Sequence, residues 1–520
     1  MSLPSVGTGP VDAEVLIAGA GPVGCWLAAE LCAAGVRVLV LEERESRAAW
    51  SRGFIVHPRT LEVFDTRGVA QPLIEAGRRM PTWHFAMGES RLDFTALPTT
   101  FPFVLLQPQA RTEDLLEQHL NRCGGEVLRG RRVVGLAQDS DRVRVRVLYK
   151  GAEREITAHF VVGCDGARSR VRQSAEIAFT GNADTVASPS ALVALADPPP
   201  PDQYMQTHER GVFFAIPLPD GRFIVSTVDH SSMHEVGTPW TPRMLRDSLV
   251  RITGTDYGLG EVERISTLGN AAKQAERYRD GRVLLAGDAA HVHFPMGGQG
   301  MNLGIQDAHN LAWRLAAAVR TELTERTELT ETTGADDAVE PAARADLVDS
   351  LLDGYEAERR PAGERVLEDV QAQMALVAAT GADGVALRSR FEALLAEHPQ
   401  VNLQYARRLS GIDVRYPVAR ADGDMRLGAR VPDLELEQAG AQPVRLYDLL
   451  REIGAGRFVR LVIADGAASD TAPAPEADAD AATITATSVL GPEWALRDGW
   501  GTAGTLLIRP DGHVAEARTC

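Results

Sequence analysis

The sequence has 520 residues, a length typical of about three domains and sufficient to bury a large core. It contains 54 Lys and Arg against 71 Asp and Glu, which gives a formal net charge of −17 at pH 7. So acidic a chain is not expected to bind nucleic acid or an anionic membrane, because both are polyanions. The charge thus excludes two large classes of partner and otherwise favours solubility.

The sequence shows no sign of membrane insertion or of a metal site. No apolar run approaches the roughly 18 residues of a membrane span, and the first fourteen residues lack the apolar core of a signal peptide. The five cysteines form no C-x-x-C pair and have no metal-ligand spacing. Scattered cysteines in odd number are typical of reduced thiols. The sequence therefore predicts a soluble cytoplasmic protein without a metal.

The first functional motif is a glycine-rich turn near the amino terminus. Residues 14–18 and 37–41 read as strands, residues 25–34 read as a helix, and Gly19-Ala20-Gly21-Pro22-Val23-Gly24 lies after the first strand. Glu42 follows the second strand, 23 residues after the first glycine. This is the G-x-G-x-x-G pattern in its strand, turn, helix, strand setting. It predicts a dinucleotide whose pyrophosphate lies at the helix amino terminus and whose ribose hydroxyls bind Glu42.

A second motif lies between residues 282 and 319. The apolar run 283–286 predicts a buried strand that ends at Gly287-Asp288. Pro295-Met296-Gly297-Gly298-Gln299-Gly300 follows, and an amphipathic helix begins after it. A strand that ends in an acid, a glycine loop and a helix amino terminus together predict a site for a polar, partly anionic ligand.

A third strand, over residues 160–164, ends at Asp165-Gly166 and precedes a basic run. These three motifs, in this order and at these separations, resemble those of the FAD-dependent aromatic hydroxylases of the para-hydroxybenzoate hydroxylase type. The resemblance covers about the first 320 residues. It implies an α/β fold with a Rossmann-like FAD-binding domain and an antiparallel β-sheet substrate domain. The segment 506–514 resembles the end of a thioredoxin-like α/β domain, which phenol and polyketide hydroxylases carry at the carboxyl terminus.

The resemblance also implies site residues. The cofactor-binding residues belong to the three motifs, to the segment after the second strand and to a helix entry near residue 109: Gly19, Gly21, Pro22, Val23, Gly24, Glu42, Glu43, Arg44, Arg52, Gln109, Arg111, Asp165, Gly166, Asp288, Pro295, Gly298, Gly300, Met301 and Asn302. The catalytic set is Pro295 as a rigid wall, Gly297 and Gly298 as backbone donors beside the flavin, and Arg52 as a flavin contact.

The substrate domain is expected over residues 179–268, together with about 80–100, because these stretches are short, aromatic and β-prone. Aromatic and thioether side chains in these stretches and in the glycine loop are candidates to line a substrate pocket: Trp83, Phe85, Phe213, Phe223, Met233 and Phe294. Ordinary core packing is the alternative for each of them. His84, His208, His230 and His234 lie in the same region and are candidate bases, although no motif contains them.

The remaining segments complete the domain division. The FAD-binding domain is expected over residues 1–178 and 269–410, and the polar, nearly repetitive segment 321–346 is expected to be a flexible loop. Residues 415–520 are expected to form the thioredoxin-like domain. Because this domain lacks C-x-x-C, a structural or subunit-contact role is favoured over a redox role.

The implied activity is that of an NAD(P)H-consuming monooxygenase. One full G-x-G-x-x-G occurs, so no second Rossmann unit is predicted for the nicotinamide, and NADPH or NADH is expected as a transient reductant. FAD is expected to be tightly bound, with O2 as the co-substrate. One oxygen atom would be inserted, through a flavin C4a-hydroperoxide, into a polycyclic aromatic polyketide. The stretches S-R-G-F and G-A-R-x-P, with the tail, are most similar to bacterial polyketide hydroxylases of antibiotic biosynthesis. A monomer or homodimer is expected.

Two alternatives to this activity remain open. The same scaffold performs Baeyer–Villiger insertion or inactivates antibiotics, and the motifs do not separate these reactions. A non-catalytic FAD-binding protein is a remote alternative, which the intact Asp288, Pro295 and glycine loop disfavour.

Overall fold

The computed structural model describes residues 11–47, 53–185, 187–218, 220–230, 238–331, 341–418, 424–438, 441–464, 481–491 and 493–519. Within these residues, every helix is too short or too polar to cross a lipid bilayer.

Short strands and helices are mixed in the first third of the chain, and strands predominate in the middle. The elements of the first third are β1 (Ala13–Ala18), α1 (Pro22–Ala33), β2 (Val38–Glu42), β3 (Ile55–Val56), α2 (Pro58–Asp65), α3 (Ala70–Ala76), β4 (Arg78–Met80), β5 (Thr82–His84), β6 (Arg91–Asp93), β7 (Val104–Leu106), α4 (Gln109–Arg122), β8 (Val127–Arg129), β9 (Arg132–Gln138), β10 (Val143–Tyr149), β11 (Ala152–Gly163) and α5 (Arg170–Ser174). The elements of the middle are β12 (Phe179–Asn182), β13 (Ala187–Leu195), β14 (Met205–His208), β15 (Gly211–Pro217), β16 (Phe223–Asp229), α6 (Pro242–Thr253), β17 (Leu259–Gly269), β18 (Ala272–Ala275), β19 (Arg279–Asp280), β20 (Val283–Leu285) and β21 (His291–Val292).

The last part of the chain begins with long helices and ends in a small α/β unit. Its elements are α7 (Gly300–Glu331), α8 (Pro341–Ala378), α9 (Gly381–Glu397), α10 (Pro399–Ser410), β22 (Glu435–Glu437), β23 (Val444–Arg445), α11 (Leu446–Ile453), β24 (Val459–Ile463), β25 (Ala482–Ala486), β26 (Ser488–Leu490), α12 (Glu493–Arg497), β27 (Gly504–Ile508) and β28 (Val514–Thr519). Single 3₁₀ turns cover Pro201–Gln203, Gly287–Ala289 and Met296–Gly298.

Five parallel strands form the centre of a mixed eight-stranded sheet in the first domain. Strand β1 pairs with β2 and β11, β11 pairs with β20, and β2 pairs with β8, all in parallel. Strand β1 is buried along its whole length, as expected for an apolar run covered on both faces. Ala18 lies beside Gly163, and Gly163 lies beside Leu285, so the loops after β1, β11 and β20 begin at one edge. The predicted Rossmann-like fold is confirmed.

An antiparallel sheet with the strand order β14-β15-β16-β13-β17 forms the second layer. Its two faces bury different cores, because successive side chains of a strand point to opposite sides. One face packs on α6 through residues such as Phe213 and Val225. The other face, with Val212 and Ile224, joins a core that also contains Met296 of the glycine loop. The antiparallel sheet therefore covers the glycine loop with an apolar surface.

The predicted loop over residues 321–346 is wrong for most of its length. Helix α7 continues through Glu331, and α8 begins at Pro341, so residues 321–331 and 341–346 are helical. Residues 332–340 lie outside the described residues. The segment contains five Glu and five Ala, which are strong helix formers, and a low-apolar composition suits a polar helix as well as a loop.

The C-terminal unit contains a four-stranded sheet in the order β25-β24-β27-β28. Strands β24 and β25 are parallel, whereas β27 is antiparallel to both β24 and β28. Its apolar core includes Leu461, Ala486 and Ile508. The unit contacts the first domain through charged pairs, among them Arg509 with Glu358 and Arg430 with Glu62.

A buried carboxylate fixes α1 against the turn after α2. Glu30 is 4% exposed and accepts hydrogen bonds from Arg67 Nε at 2.7 Å and Nη2 at 2.9 Å. Burial alone would raise the pKa of this carboxyl, but Arg67 and His309 together lower it to about 2. Glu30 is therefore ionised in the folded protein near neutral pH.

Glu30→Gln should lower the melting temperature at pH 7 by roughly 5–15 °C, because it leaves a buried guanidinium uncompensated. The stabilisation by the carboxylate is complete above the unfolded-state pKa of about 4.5 and is lost as the pH falls toward 2. The difference from the wild type should therefore shrink below about pH 4.5 in calorimetric scans. The exposed Glu126→Gln is the control and should not change the melting temperature. A pH-independent difference would contradict the assignment.

Candidate functional site

The glycine turn after β1 is closed tightly against the loop after β11. Gly19 has φ +101°, and a Cβ there would lie 2.3 Å from the carbonyl oxygen of Cys164. A Cβ at Gly24 would lie 2.0 Å from the carbonyl oxygen of Gly19. At Gly21 nothing lies within 4 Å of the Cβ position, so this side of the turn is open. The first and third glycines close the turn, while the second leaves room for a ligand.

The open side faces the amino terminus of α1. Gly21 is the N-cap residue and supplies no side-chain cap, and Pro22 occupies the first turn. The first backbone N–H groups of a helix have no partner within the helix, so a helix amino terminus attracts an anion. Glu42 is buried and accepts hydrogen bonds from the backbone of Ala20 at 2.9 Å and of Arg44 at 3.0 Å. Glu42 thus braces the turn, and the side chains of Glu43 and Arg44 are exposed beside it.

Asp165 and Gly166 begin the second loop. Asp165 Oδ2 accepts hydrogen bonds from the backbone of Arg170 at 2.6 Å and of Val171 at 3.1 Å, at the start of α5. Burial raises the pKa of the Asp165 carboxyl, although these hydrogen bonds act to lower it. Its Oδ1 is buried and has no hydrogen-bond partner within the described part of the chain. Gly166 adopts φ +80°, which a side chain would disfavour.

Gly287 and Asp288 form the third loop. Gly287 has φ +63°, and a Cβ there would lie 2.9 Å from Cγ2 of Val23. The third loop therefore lies directly against α1. The side chain of Asp288 is exposed at the carboxyl edge of the sheet.

The glycine loop that precedes α7 has a backbone that requires glycine. Gly297 and Gly298 have φ +70° and +74°. A Cβ at Gly297 would lie 2.7 Å from Cδ1 of Leu409, and one at Gly298 would lie 2.5 Å from Cβ of Ile55. Pro295 is exposed at the start of this loop. The loop is thus pressed against β3 on one side and α10 on the other.

Asn302 ties this loop to β3. Its Nδ2 donates to the carbonyl oxygens of Ile55 at 3.0 Å and of Gly298 at 2.8 Å, and its Oδ1 accepts from the backbone of His57 at 2.8 Å. Asn302, which was predicted to bind the cofactor, therefore lies at the glycine loop. The hydrogen bonds described for its side chain are all to the protein backbone. Met301 lies next to it and is partly buried.

His57 is a site residue that sequence reasoning missed. It is 1% exposed, its Nε2 donates to the carbonyl oxygen of Gly297 at 2.8 Å, and its ring stacks on Phe94. Since a carbonyl oxygen only accepts, Nε2 carries the proton. Burial lowers the pKa of His57 to about 4, so the ring is neutral near pH 7. The residue lies five positions after Arg52, but no motif contains it.

Gln109 and Arg111, the two residues predicted at the start of α4, lie in different surroundings. The backbone N–H of Gln109 donates to the carbonyl oxygen of Gly53 at 2.9 Å, and its side chain donates to Glu113 at 2.7 Å. Arg111 donates to Asp114 at 3.1 Å on the helix surface and is about half exposed. Gln109 thus lies beside the glycine that follows residues 48–52. Arg52 itself lies outside the described residues.

The substrate candidates separate into two groups. Trp83, Phe85 and Phe294 are buried in the core that contains Met296 and Phe94, next to the glycine loop. Met233 lies outside the described residues.

Phe213 and Phe223 lie on the other face of the antiparallel sheet, away from the glycine loop. Both are buried between the antiparallel sheet and α6, near Leu249, and Phe213 stacks on Tyr257 with ring centroids 5.0 Å apart. The alternation of side chains along a strand turns them away from the glycine loop. Phe214, one position along, packs on the loop side instead.

Three of the four candidate bases lie within the described residues. His84 is 2% exposed, accepts from the backbone of Met87 at 3.3 Å, and has its pKa lowered to about 3 by burial and by Arg91. His208 contacts Gln206 at 2.9 Å on an edge strand. Burial lowers the pKa of His230, and His234 lies outside the described residues.

Comparisons with known proteins define the class of the chain. Residues 12–336 match the family described as FAD binding domain, and residues 424–519 match the family described as aromatic-ring hydroxylase, C-terminal. The chain belongs to the FAD-dependent aromatic-ring hydroxylase family. It is a flavin-dependent monooxygenase that uses FAD and O2, and NAD(P)H is the reductant typical of this family.

Individual relatives resemble nearly the whole chain. It is 40% identical over 514 residues to an uncharacterized aromatic compound monooxygenase of Bacillus subtilis, covering 97% of this chain and 94% of the relative. It is 37% identical to the rifampicin monooxygenase of Streptomyces venezuelae, covering 84% and 85%. The solved structure of an anhydrotetracycline hydroxylase from Streptomyces rimosus has a TM-score of 0.82 at 34% identity, covering 98% and 96%.

The glycine loop gives a direct test of the site. Gly298→Ala should raise the FAD dissociation constant roughly tenfold, because the new methyl group meets Ile55 and φ +74° is strained for alanine. The matched control is Gly260→Ala in β17, where the nearest atom, the carbonyl oxygen of Ala194, lies 3.6 Å away. Retained FAD can be measured by absorbance after dialysis. Equal losses in both variants would show that the positive φ and the contact with Ile55 are unimportant.

Proposed function

We propose that this flavin-dependent monooxygenase hydroxylates the aromatic ring of a polycyclic polyketide in antibiotic or secondary-metabolite biosynthesis. The observation that carries the proposal is the similarity to the anhydrotetracycline hydroxylase, which extends through the antiparallel sheet as well as the FAD domain. The reaction consumes NAD(P)H, a proton and O2, and it yields the phenol, NAD(P)+ and water. The bound flavin supplies the transfer of electrons from the nicotinamide to oxygen.

The three loops at the carboxyl edge hold the cofactor in this proposal. The open side of Gly21 and the start of α1 receive the pyrophosphate, and Glu42 receives the ribose. Asp288, exposed at the same edge, accepts hydrogen bonds from the ribityl chain. Asp165 and Gly166 border the pyrophosphate from β11.

The residues around the glycine loop orient the ring and exclude water. Pro295 and the Gly297–Gly298 backbone form a rigid wall, which Asn302 and neutral His57 hold in place. Trp83, Phe85 and Phe294 contribute apolar surface beside it, and Phe214 replaces Phe213 as the candidate from the sheet. A dry surface next to the flavin protects the activated oxygen from wasteful release as hydrogen peroxide.

Further assignments complete the proposal. The domains are residues 1–178 with 269–410 for FAD, 179–268 with about 80–100 for the substrate, and 415–520 for a thioredoxin-like unit without C-x-x-C. The protein acts in the cytoplasm as a monomer or homodimer. It does not act on nucleic acid, consistent with the net charge of −17.

A second candidate activity is the inactivation of an antibiotic, because the rifampicin monooxygenase is 37% identical. In a Baeyer–Villiger insertion on the same scaffold, the oxygen would be directed at a ketone carbonyl instead of an aromatic ring. Both alternatives use the same flavin site and differ in the product.

The proposed function can be tested by following NADPH and NADH oxidation by the purified yellow protein. The substrates are polycyclic phenols, a rifamycin-type antibiotic and cyclic ketones. We expect phenols to stimulate oxidation and to gain one oxygen atom from isotopically labelled O2, with the position read by NMR. The result against hydroxylation would be a rate at background with every phenol, or hydrogen peroxide as the sole product. Labelled product from the antibiotic or ketone alone would select that alternative.

Asp288→Ala should raise the FAD dissociation constant by roughly tenfold to a hundredfold, because a charged hydrogen-bond acceptor is lost. Asp288→Asn keeps an acceptor oxygen and should show a smaller effect. Fluorescence of released flavin, measured during dialysis, checks both variants. If purified Asp288→Ala retains a full complement of FAD, the ribityl assignment is wrong.

A further inference from the structure

A buried carboxylate lies beneath the third loop. Asp307 on α7 is fully buried, and its Oδ2 accepts hydrogen bonds from the backbone of Gly287 at 3.2 Å and from Nε2 of His291 at 2.7 Å. Its Oδ1 accepts from Nε of Arg359 at 2.8 Å. Burial alone would raise the pKa of Asp307, but Arg359 and His291 hold it below its usual value. The backbone of the loop that carries Asp288 is therefore attached to an ionised side chain.

Arg359 on α8 holds this carboxylate in one orientation. It is also fully buried, and each of its three guanidinium nitrogens has a partner. Besides Asp307, Nη1 donates to the hydroxyl of Tyr416 at 3.1 Å, and Nη2 donates to the carbonyl oxygen of Leu303 at 3.2 Å. A planar guanidinium with all its nitrogens engaged cannot rotate without breaking a buried hydrogen bond.

The neighbouring residue, Glu358, connects α8 to the C-terminal unit. Arg509 donates to both of its oxygens, at 2.7 Å and 2.8 Å, in a bidentate pair. Arg314 and Asn310 of α7 bind the same carboxylate at 2.7 Å. Adjacent residues of one helix therefore reach the C-terminal unit and the carboxylate beneath the third loop.

Tyr416 provides a second connection to the same unit. Its ring lies 4.2 Å from that of His513, and the guanidinium of Arg509 lies over it at 5.1 Å. Its hydroxyl reaches Arg359, as described above. Arg509 thus contacts both the neighbour of Arg359 and a direct partner of Arg359.

We propose that the C-terminal unit is part of the FAD-binding machinery. Arg509 and Tyr416 act as positioning residues: they fix Glu358 and Arg359, and Arg359 fixes Asp307 under Gly287. The unit thereby sets the position of the loop that carries Asp288. This inference rests on the proposed assignment of that loop to FAD.

The test is the FAD dissociation constant of full-length Arg509→Gln, measured by equilibrium dialysis with flavin fluorescence at a temperature well below its melting point. We expect a rise of roughly tenfold, the size typical of coupling between distant sites. Arg509→Lys keeps the charge and should recover part of the affinity. Tyr416→Phe removes only a hydroxyl and should weaken FAD binding in the same direction.

The matched control is Arg430→Gln. Arg430 also belongs to the C-terminal unit, its side chain is 7% exposed against 8% for Arg509, and it pairs with buried Glu62 at 3.0 Å. Among the described residues, Glu62 interacts with Arg59, Thr99 and Arg430, and no hydrogen bond or ion pair joins it to Asp307 or Arg359. Arg430→Gln should therefore lower the melting temperature of the protein without FAD and leave FAD affinity unchanged.

Three outcomes would overturn the inference. They are unchanged FAD affinity in Arg509→Gln, an equal loss in Arg430→Gln, or, if Arg509→Gln does not fold, unchanged affinity in Tyr416→Phe. Asp288→Ala separates this inference from the loop assignment. If Asp288→Ala weakens FAD binding and Arg509→Gln does not, only the role of the C-terminal unit fails. If Asp288→Ala has no effect, the loop assignment itself fails.

Discussion

The alignment of three parallel strands at their carboxyl ends is the constraint on which the rest of the structure depends. Because Ala18, Gly163 and Leu285 are neighbours across the sheet, the loops that follow them must share one narrow edge. The close approach of Gly19 to Cys164 and of Gly287 to Val23 leaves no room for side chains between them. The glycines are therefore required by the packing of the loops on one another, and the opening at Gly21 remains for a ligand.

Local patterns predicted this part of the molecule well. A strand covered on both faces needs an unbroken apolar run, and a turn with positive φ needs glycine, so both leave a direct mark in the sequence. The antiparallel sheet was harder to interpret, because Phe213 and Phe214 are both apolar and only the register decides which of them faces the glycine loop. Composition alone also misassigned residues 321–331, because a polar helix and a loop use similar residues.

The residues that sequence reasoning missed are held by long-range contacts. His57 meets Gly297 across 240 positions of the chain, and Asp307 meets Arg359 across 52. Neither pair has a spacing that marks it, because the contact arises only after β3, α7 and α8 have packed. A polar residue inside an apolar stretch was the available signal. Asp307 lies among Leu303, Ala308 and Leu311 of a buried helix, where an acid requires a partner.

The interface of the C-terminal unit contains buried ion pairs, although apolar packing would suffice for stability. Buried ion pairs contribute little net stability, because desolvation offsets their attraction. A bidentate pair such as Arg509 with Glu358 nevertheless demands one orientation, whereas an apolar surface tolerates sliding. An interface that only had to hold two domains together would gain nothing from this restriction. An interface that fixes Arg359 and the loop that contains Gly287 does gain from it. The C-terminal unit is therefore not dispensable, although it lacks a C-x-x-C pair.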